Sequence, residues 1–356
     1  MYLIIILTFL SLAVATGSSL SECTSSIGCT TVTTKTSLKF DCHYSLPSPS
    51  VSSSDKPPVL LLHGFPEWSH MYTPLMLSLS TSGYTSYACN QRGYSPTASP
   101  NSVEDYNYKL LKDDVFDIAD ALGWDKFHIV GHDHGAVLGW TVVGDDRAKG
   151  RVISYSALSV PHVDAFSEGL LGDMEDEDQV MASQYFSVFV MDDSASLNFN
   201  FLYLTMGQTS GRRKEYGSLY SNPSEFQKAL WWYNGAMEAG VLSMPRTLTV
   251  SELFSKGYYA LAAMRAAYSG GGEDGIAATN PTGVITNIPI LYVCGSNDSY
   301  ILCDHEYARK TKDYVEGDYR NLVVGCGHNV LDEGDCEDVG ERDKVVDAII
   351  DRIESA

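Results

Sequence analysis

The strand-like run Phe127-His128-Ile129-Val130 ends in Gly131-His132-Asp133-His134-Gly135 and passes directly into an apolar, helix-like stretch opening at Ala136. Glycines two residues either side of a polar residue mark a sharp strand-to-helix turn that lifts a nucleophile clear of a sheet. Here the lifted residue is Asp133. A carboxyl with an ordinary pKa of about 3.9 is ionised at neutral pH and needs no base to become a nucleophile. Attack by a carboxylate on an acyl carbon would give a high-energy anhydride, whereas attack on a saturated carbon gives a simple ester. The chemistry open to Asp133 is therefore displacement at a carbon that carries a leaving group, such as an epoxide or an alkyl halide. The bland alternative is a glycine-rich turn of no chemical consequence.

Two later loops weigh against the bland alternative. Gly295-Ser296-Asn297-Asp298 follows the apolar run Ile288-Pro289-Ile290-Leu291-Tyr292-Val293, and Gly325-Cys326-Gly327-His328 follows Val323-Val324. Nucleophile, acid and histidine thus occur in the chain order found with nucleophile elbows. His328 is one of nine histidines and alone would read as a surface or core residue. Placed in a loop after the last strand, downstream of a similarly placed acid, it reads as a general base acting on water, with Asp298 orienting its imidazole.

These residues must be positioned by strands that alternate with helices. Val59-Leu60-Leu61-Leu62 runs into His63-Gly64-Phe65-Pro66, a strand at 85–89 runs into Asn90-Gln91-Arg92-Gly93, and another strand spans 152–158. A helix over 105–122 sets Leu110, Val115, Ile118, Ala119 and Leu122 on one face. The pattern implies parallel βαβ units and a mostly parallel, doubly wound α/β sheet. Alternation breaks after Pro161 and resumes near residue 288, so 57–161 and 284–356 form the core and 162–283 reads as an inserted helical cap. Val345, Val346, Ile349, Ile350 and Ile353 give the tail 341–355 one apolar helical face. Residues 16–56, rich in Ser and Thr, read as an irregular or edge-strand segment.

Through His63-Gly64-Phe65-Pro66-Glu67, Gln91-Arg92-Gly93-Tyr94-Ser95-Pro96, Gly131-His132-Asp133-His134-Gly135 and Gly327-His328, the chain resembles the epoxide hydrolase branch of the α/β-hydrolases. The likeness runs from about residue 57 to the C-terminus and is weakest in the cap. It implies the α/β-hydrolase fold, a small-molecule substrate, no cofactor, and an oxyanion hole formed by the backbone N–H groups of Phe65 and His134. It also implies two cap tyrosines that protonate the opening epoxide; Tyr185 and Tyr233 best match those positions. The similar haloalkane dehalogenases carry Trp directly after the nucleophile and Asn within the His-Gly motif, where this chain has His134 and Phe65. Dehalogenation of that type is disfavoured, although one using other donors stays a rival. Epoxide hydrolases mostly carry that Trp too, and His134 either lines the pocket or tunes Asp133 by its charge. A non-catalytic secreted binding protein on the same scaffold is a rival from another class.

Composition bounds the remaining possibilities. The 356 residues include 24 basic and 45 acidic side chains, a formal net charge of −21. Nucleic-acid binding needs clustered Lys and Arg, and no such cluster occurs. Residues 1–15, MYLIIILTFLSLAVA, read as a signal peptide with a small-x-small end, too short for a comfortable span. Their lack of Lys or Arg keeps a membrane-tethered form open as the minority alternative; after leader removal no stable membrane insertion is expected. All eight cysteines, at 23, 29, 42, 89, 294, 303, 326 and 336, follow this leader, as expected for a protein exported to an oxidising compartment. Cys326 with Cys336, and one bridge among Cys23, Cys29 and Cys42, are plausible pairs; Cys89 and Cys294 read as small buried hydrophobes. No Cys/His spacing resembles a zinc site.

Overall fold

The computed structural model describes residues 23–51, 56–171, 175–190, 223–240, 242 and 283–356. The expected leader at 1–15 lies outside the described residues, as do 172–174, 191–222, 241 and 243–282 of the expected cap.

The strands are β1 (Gly28–Thr33), β2 (Lys39–Ser45), β3 (Val59–Leu62), β4 (Ser86–Cys89), β5 (Phe127–His132), β6 (Val152–Leu158), β7 (Ile285–Thr286), β8 (Ile290–Gly295), β9 (Val315–Glu316) and β10 (Tyr319–Val324). Eight of them build one sheet in the order β1-β2-β4-β3-β5-β6-β8-β10, and β7 pairs with β9 separately. From β4 to β10 every neighbouring pair is parallel. Such strands are covered on both faces, which is why Val59 to Leu62 are all apolar and all buried. Val59 and Leu61 pack with Leu75 and Leu79 of α1 (Thr73–Thr81), while Leu60 and Leu62 belong to the core that contains Val115 and Leu138. Those last two residues lie on α2 (Tyr108–Ala121) and α3 (His134–Val143).

Two expectations change in detail. Residues 28–45, expected as irregular or edge strand, form an antiparallel hairpin in which β1 is the edge and β2 pairs onward with β4. The Ser/Thr-rich sequence hid it because Thr is itself a strand former, and only Val32, Phe40 and Cys42 carry the inward alternation. On α2 the buried leucine is Leu111, not Leu110. The buried face is shifted because it also carries Asp114, whose carboxylate takes two 2.7 Å hydrogen bonds from Arg92.

The chain leaves the sheet after β6 through α4 (Val163–Leu171), α5 (Glu177–Ala182), α6 (Phe186–Phe189) and α7 (Pro223–Glu238), and returns at β8. After the short α8 (Glu306–Arg309), α9 (Val339–Glu354) closes the fold, burying Val345, Val346, Ile349 and Ile353.

All eight cysteines pair: Cys23–Cys29, Cys42–Cys89, Cys294–Cys303 and Cys326–Cys336. Cys89 and Cys294 are buried, yet the reading of them as simple buried hydrophobes is corrected. Register explains the first: Cys42 of β2 lies directly opposite Cys89 of β4. That bridge spans 47 residues of sequence, and the chain-entropy relation makes it worth about 4 kcal/mol. Replacing both cysteines by serine should lower the stability measured by guanidinium unfolding by that order, and an unchanged midpoint would show that the bridge contributes nothing.

Candidate active site

Three loops meet at the C-terminal ends of β5, β8 and β10, the edge of a parallel sheet where ligands characteristically bind. Asp133 joins β5 to α3 with φ 53°, a left-handed backbone that an aspartate adopts only at a cost of order 1–3 kcal/mol. The turn is possible because its flanks lack side chains. A Cβ at Gly131 would strike the backbone of Gly135, one at Gly135 would strike the carbonyls of Leu62 and His63, and one at Gly64 would strike Asp133 itself.

The carboxylate so presented is buried and held at both oxygens. The Phe65 N–H donates to Oδ1 at 2.7 Å, and His328 Nε2 lies 3.2 Å from Oδ2. On the other side of the ring, His328 Nδ1 lies 2.7 Å from Asp298 Oδ2. Asp298 is fixed in turn by the N–H groups of Tyr300 and Ile301, both donating to its Oδ1. The sequence-derived trio therefore comes together, with one imidazole between two carboxylates.

Burial alone would raise the Asp133 pKa, but the His328 hydrogen bond and the surrounding histidines outweigh it and hold the carboxyl well below its usual range. For His328, burial opposes the cation, yet the charges and hydrogen bonds of Asp298 and Asp133 raise its pKa well above 6.5. His134, at the first position of α3, is pushed the other way by burial and is neutral at pH 7. Its Nδ1 lies 3.0 Å from the Tyr108 hydroxyl, and its ring packs edge-on against Tyr233 at 4.2 Å.

Tyr233 on α7 and Tyr185, between α5 and α6, are both buried or nearly so above this floor. The Tyr233 ring is 5.8 Å from that of Phe65 and 6.2 Å from that of Tyr185. Burial together with the Asp133 charge raises both pKa values well above 10, so both stay protonated. Trp232 anchors this helix by donating its indole N–H to the Arg92 carbonyl at 2.8 Å.

Several contributors escaped sequence reasoning. Tyr108 supports His134 from α2, and Tyr300 lays its ring 5.6 Å from that of His328. His132 and Ser159 both donate to the His328 carbonyl. His132 stands inside the elbow motif and could have been flagged, whereas Ser159 carries no sequence signal. No group of three or more His, Cys, Asp or Glu side chains among the described residues is arranged to hold a metal ion.

A mostly parallel eight-stranded sheet, an elbow carrying a strained acidic residue, and an acid and a histidine after the later strands β8 and β10 define the α/β-hydrolase class of fold. Residues 57–335 match the family model described as alpha/beta hydrolase fold, and the chain belongs to that family. Among curated relatives it is 34% identical over 143 residues to epoxide hydrolase 3 of Xenopus tropicalis, a match covering 39% of this chain and 37% of that protein. It is 38% identical over 124 residues to epoxide hydrolase 2 of Siraitia grosvenorii, covering 33% of this chain and 39% of that one. The matches thus span about two fifths of these relatives' length. A solved epoxide hydrolase from Vigna radiata superposes with a TM-score of 0.62 at 20% identity, covering 93% of this chain and 99% of the other. A putative acyltransferase from Salmonella enterica does so with 0.65 at 15% identity, covering 94% and 98%. The structural likeness therefore establishes the fold and leaves the reaction to the site.

The electrostatics make a prediction that does not depend on the reaction. Because the folded pKa of His328 lies above its unfolded value of about 6.5, its charged contacts stabilise the fold fully below that pH and lose their effect as pH rises through the folded value. Removing the Asp133 charge should lower that folded value. NMR titration of the His328 imidazole in Asp133→Asn is expected to give a lower pKa than in the parent; an unchanged one would mean that Asp298 alone sets it.

Proposed function

We propose that this protein hydrolyses epoxides to diols through an ester on Asp133. The observation that carries the reading is an ionised elbow aspartate whose charge reaches two protonated tyrosines with rings 6.2 Å apart. That pairing supplies what epoxide opening needs, a nucleophile below and an acid above.

In the first step Asp133 Oδ2 attacks a ring carbon while Oδ1 stays on the Phe65 N–H. The carbon–oxygen bond of the epoxide breaks, and the departing oxygen takes a proton from Tyr233 or Tyr185. General-acid assistance of this kind is worth about 10²–10⁴-fold. Loss of the Asp133 charge on ester formation then removes one of the two carboxylates that raise the His328 pKa. The imidazolium can then pass its proton by way of solvent to the tyrosinate left by ring opening, so that a neutral imidazole is in place to take a proton from the attacking water, with Asp298 stabilising the cation that results. Water adds to the ester carbonyl, the charge builds on Oδ1, and the N–H groups of Phe65 and His134 are its proposed donors. Collapse releases the diol and restores the carboxylate. His134, neutral and held by Tyr108, acts in this reading as a wall of the pocket and not through charge.

The reading places the mature protein outside the cell or in the secretory pathway, after removal of residues 1–15. Four disulfides fit an oxidising compartment, and no described helix is long and apolar enough to cross a membrane.

Single turnover in ¹⁸O-water tests the mechanism: the first diol should carry unlabelled oxygen from Asp133, and direct incorporation of label would exclude an ester. Tyr233→Phe and Tyr185→Phe should each slow diol formation about tenfold or more and the double variant at least a hundredfold, with the protein still folded. Across styrene-type, terpene and fatty-acid epoxides, Asp133→Asn should form no diol.

A further inference from the structure

The acid and the histidine each sit inside a small disulfide ring, and the nucleophile does not. Cys294, the next-to-last residue of β8, pairs with Cys303 at a sequence separation of 9, enclosing Asp298. Cys326, two residues before His328, pairs with Cys336 at a separation of 10. Rings this small restrict the loop conformations that the chain could otherwise sample. The two rings are also joined to each other, since the Asn297 N–H donates to the Cys326 carbonyl at 2.9 Å.

Inside the second ring the backbone around His328 is held on every side. Asp335, next to Cys336, accepts from the Gly327 N–H with its carbonyl at 2.6 Å and from the Asn329 N–H with Oδ2 at 2.7 Å. The His328 carbonyl accepts from His132 Nε2 at 2.9 Å and from the Ser159 hydroxyl. Cys326 and Cys336 also form an isolated antiparallel bridge, so the ring is closed by backbone as well as by sulfur. Asp133, by contrast, takes its backbone geometry from the glycine elbow, and its Oδ1 is held by the Phe65 N–H, leaving Oδ2 as the only oxygen that meets His328.

We propose that Cys326–Cys336, Cys294–Cys303 and Asp335 are positioning residues chiefly for the second half of the reaction: they hold His328 and Asp298 in register for ester hydrolysis, while attack by Asp133, set on its own elbow and on the Phe65 N–H, depends on them less. This rests on the reaction given above, and it separates the two half-reactions by the covalent architecture that serves each. Misplacing a general base by about 1 Å can lower a rate a hundredfold, so the effect falls mainly on ester hydrolysis and is large there.

The test is intact-protein mass spectrometry during turnover of a styrene-type epoxide, together with kcat and KM for diol release. Cys326→Ser/Cys336→Ser should lower kcat at least tenfold while the enzyme accumulates as an adduct heavier by the mass of the epoxide. Asp335→Ala, an exposed position whose loss leaves both bridges intact, should do the same to a smaller degree. Cys23→Ser/Cys29→Ser, a ring of similar size at the sheet edge, should turn over like the parent without adduct. Parental kcat in the ring and Asp335 variants, or a fall in kcat with no adduct, overturns the proposal. Should the double serine variant not fold, Asp335→Ala decides by the same readings. A parent that forms neither adduct nor diol would instead overturn the reaction itself, which keeps the two failures distinct.

Discussion

A buried carboxylate on a left-handed backbone is the demand around which the rest of the structure is arranged. An ionised group taken out of water needs compensating partners within a few ångströms, or it takes up a proton instead. Asp133 is kept charged by a backbone N–H at one oxygen and an imidazole at the other. That imidazole is in turn kept cationic by Asp298, itself pinned by two N–H groups of its own loop. Each member is held by the next, so the ionisation state of the whole trio is a property of the set.

The sheet is what makes such a set possible. Asp133, Asp298 and His328 are supplied by the ends of β5, β8 and β10, and β6 is the one strand that lies between β5 and β8. Parallel register brings those ends to a common edge, so residues as far apart in sequence as 133 and 328 meet within hydrogen-bond distance. The same register places Leu62 beside Gly131, which is why no side chain fits at the elbow. Strain at Asp133 is carried by packing, not by the turn alone.

Above the floor the structure changes character. Phe65, Phe189, Phe226, Tyr185 and Tyr233 form a cluster of edge-to-face and tilted rings. Asp133 itself is buried, and low exposure to water strengthens every electrostatic contact it makes. The net charge of −21 has no counterpart here: residues 1–15 carry none of it, and the trio accounts for only two of the 45 acidic side chains. It is a property of the solvated exterior, and a neutral substrate does not call for it.

By itself the sequence determined the class of fold and the elbow, and it singled out Asp133, Asp298 and His328, which the structure brings together, because these follow from local rules. Apolar runs that alternate with helical periods imply a parallel sheet, and glycines at fixed offsets are demanded by a turn that leaves no room for a Cβ. It left the hairpin of β1 and β2 between an irregular and an edge-strand segment, because its threonines look like loop residues until pairing shows them as strand. Cys42–Cys89 and Cys294–Cys303 were equally illegible, since a disulfide depends on which strands and loops lie side by side. Tyr108 at His134, Asp335 at His328, and the facing of Tyr185 and Tyr233 were decided only by the tertiary structure. Each joins segments separated in the chain by 7 to 48 residues, and no periodicity, capping signal or motif encodes a contact that exists only once the elements have packed.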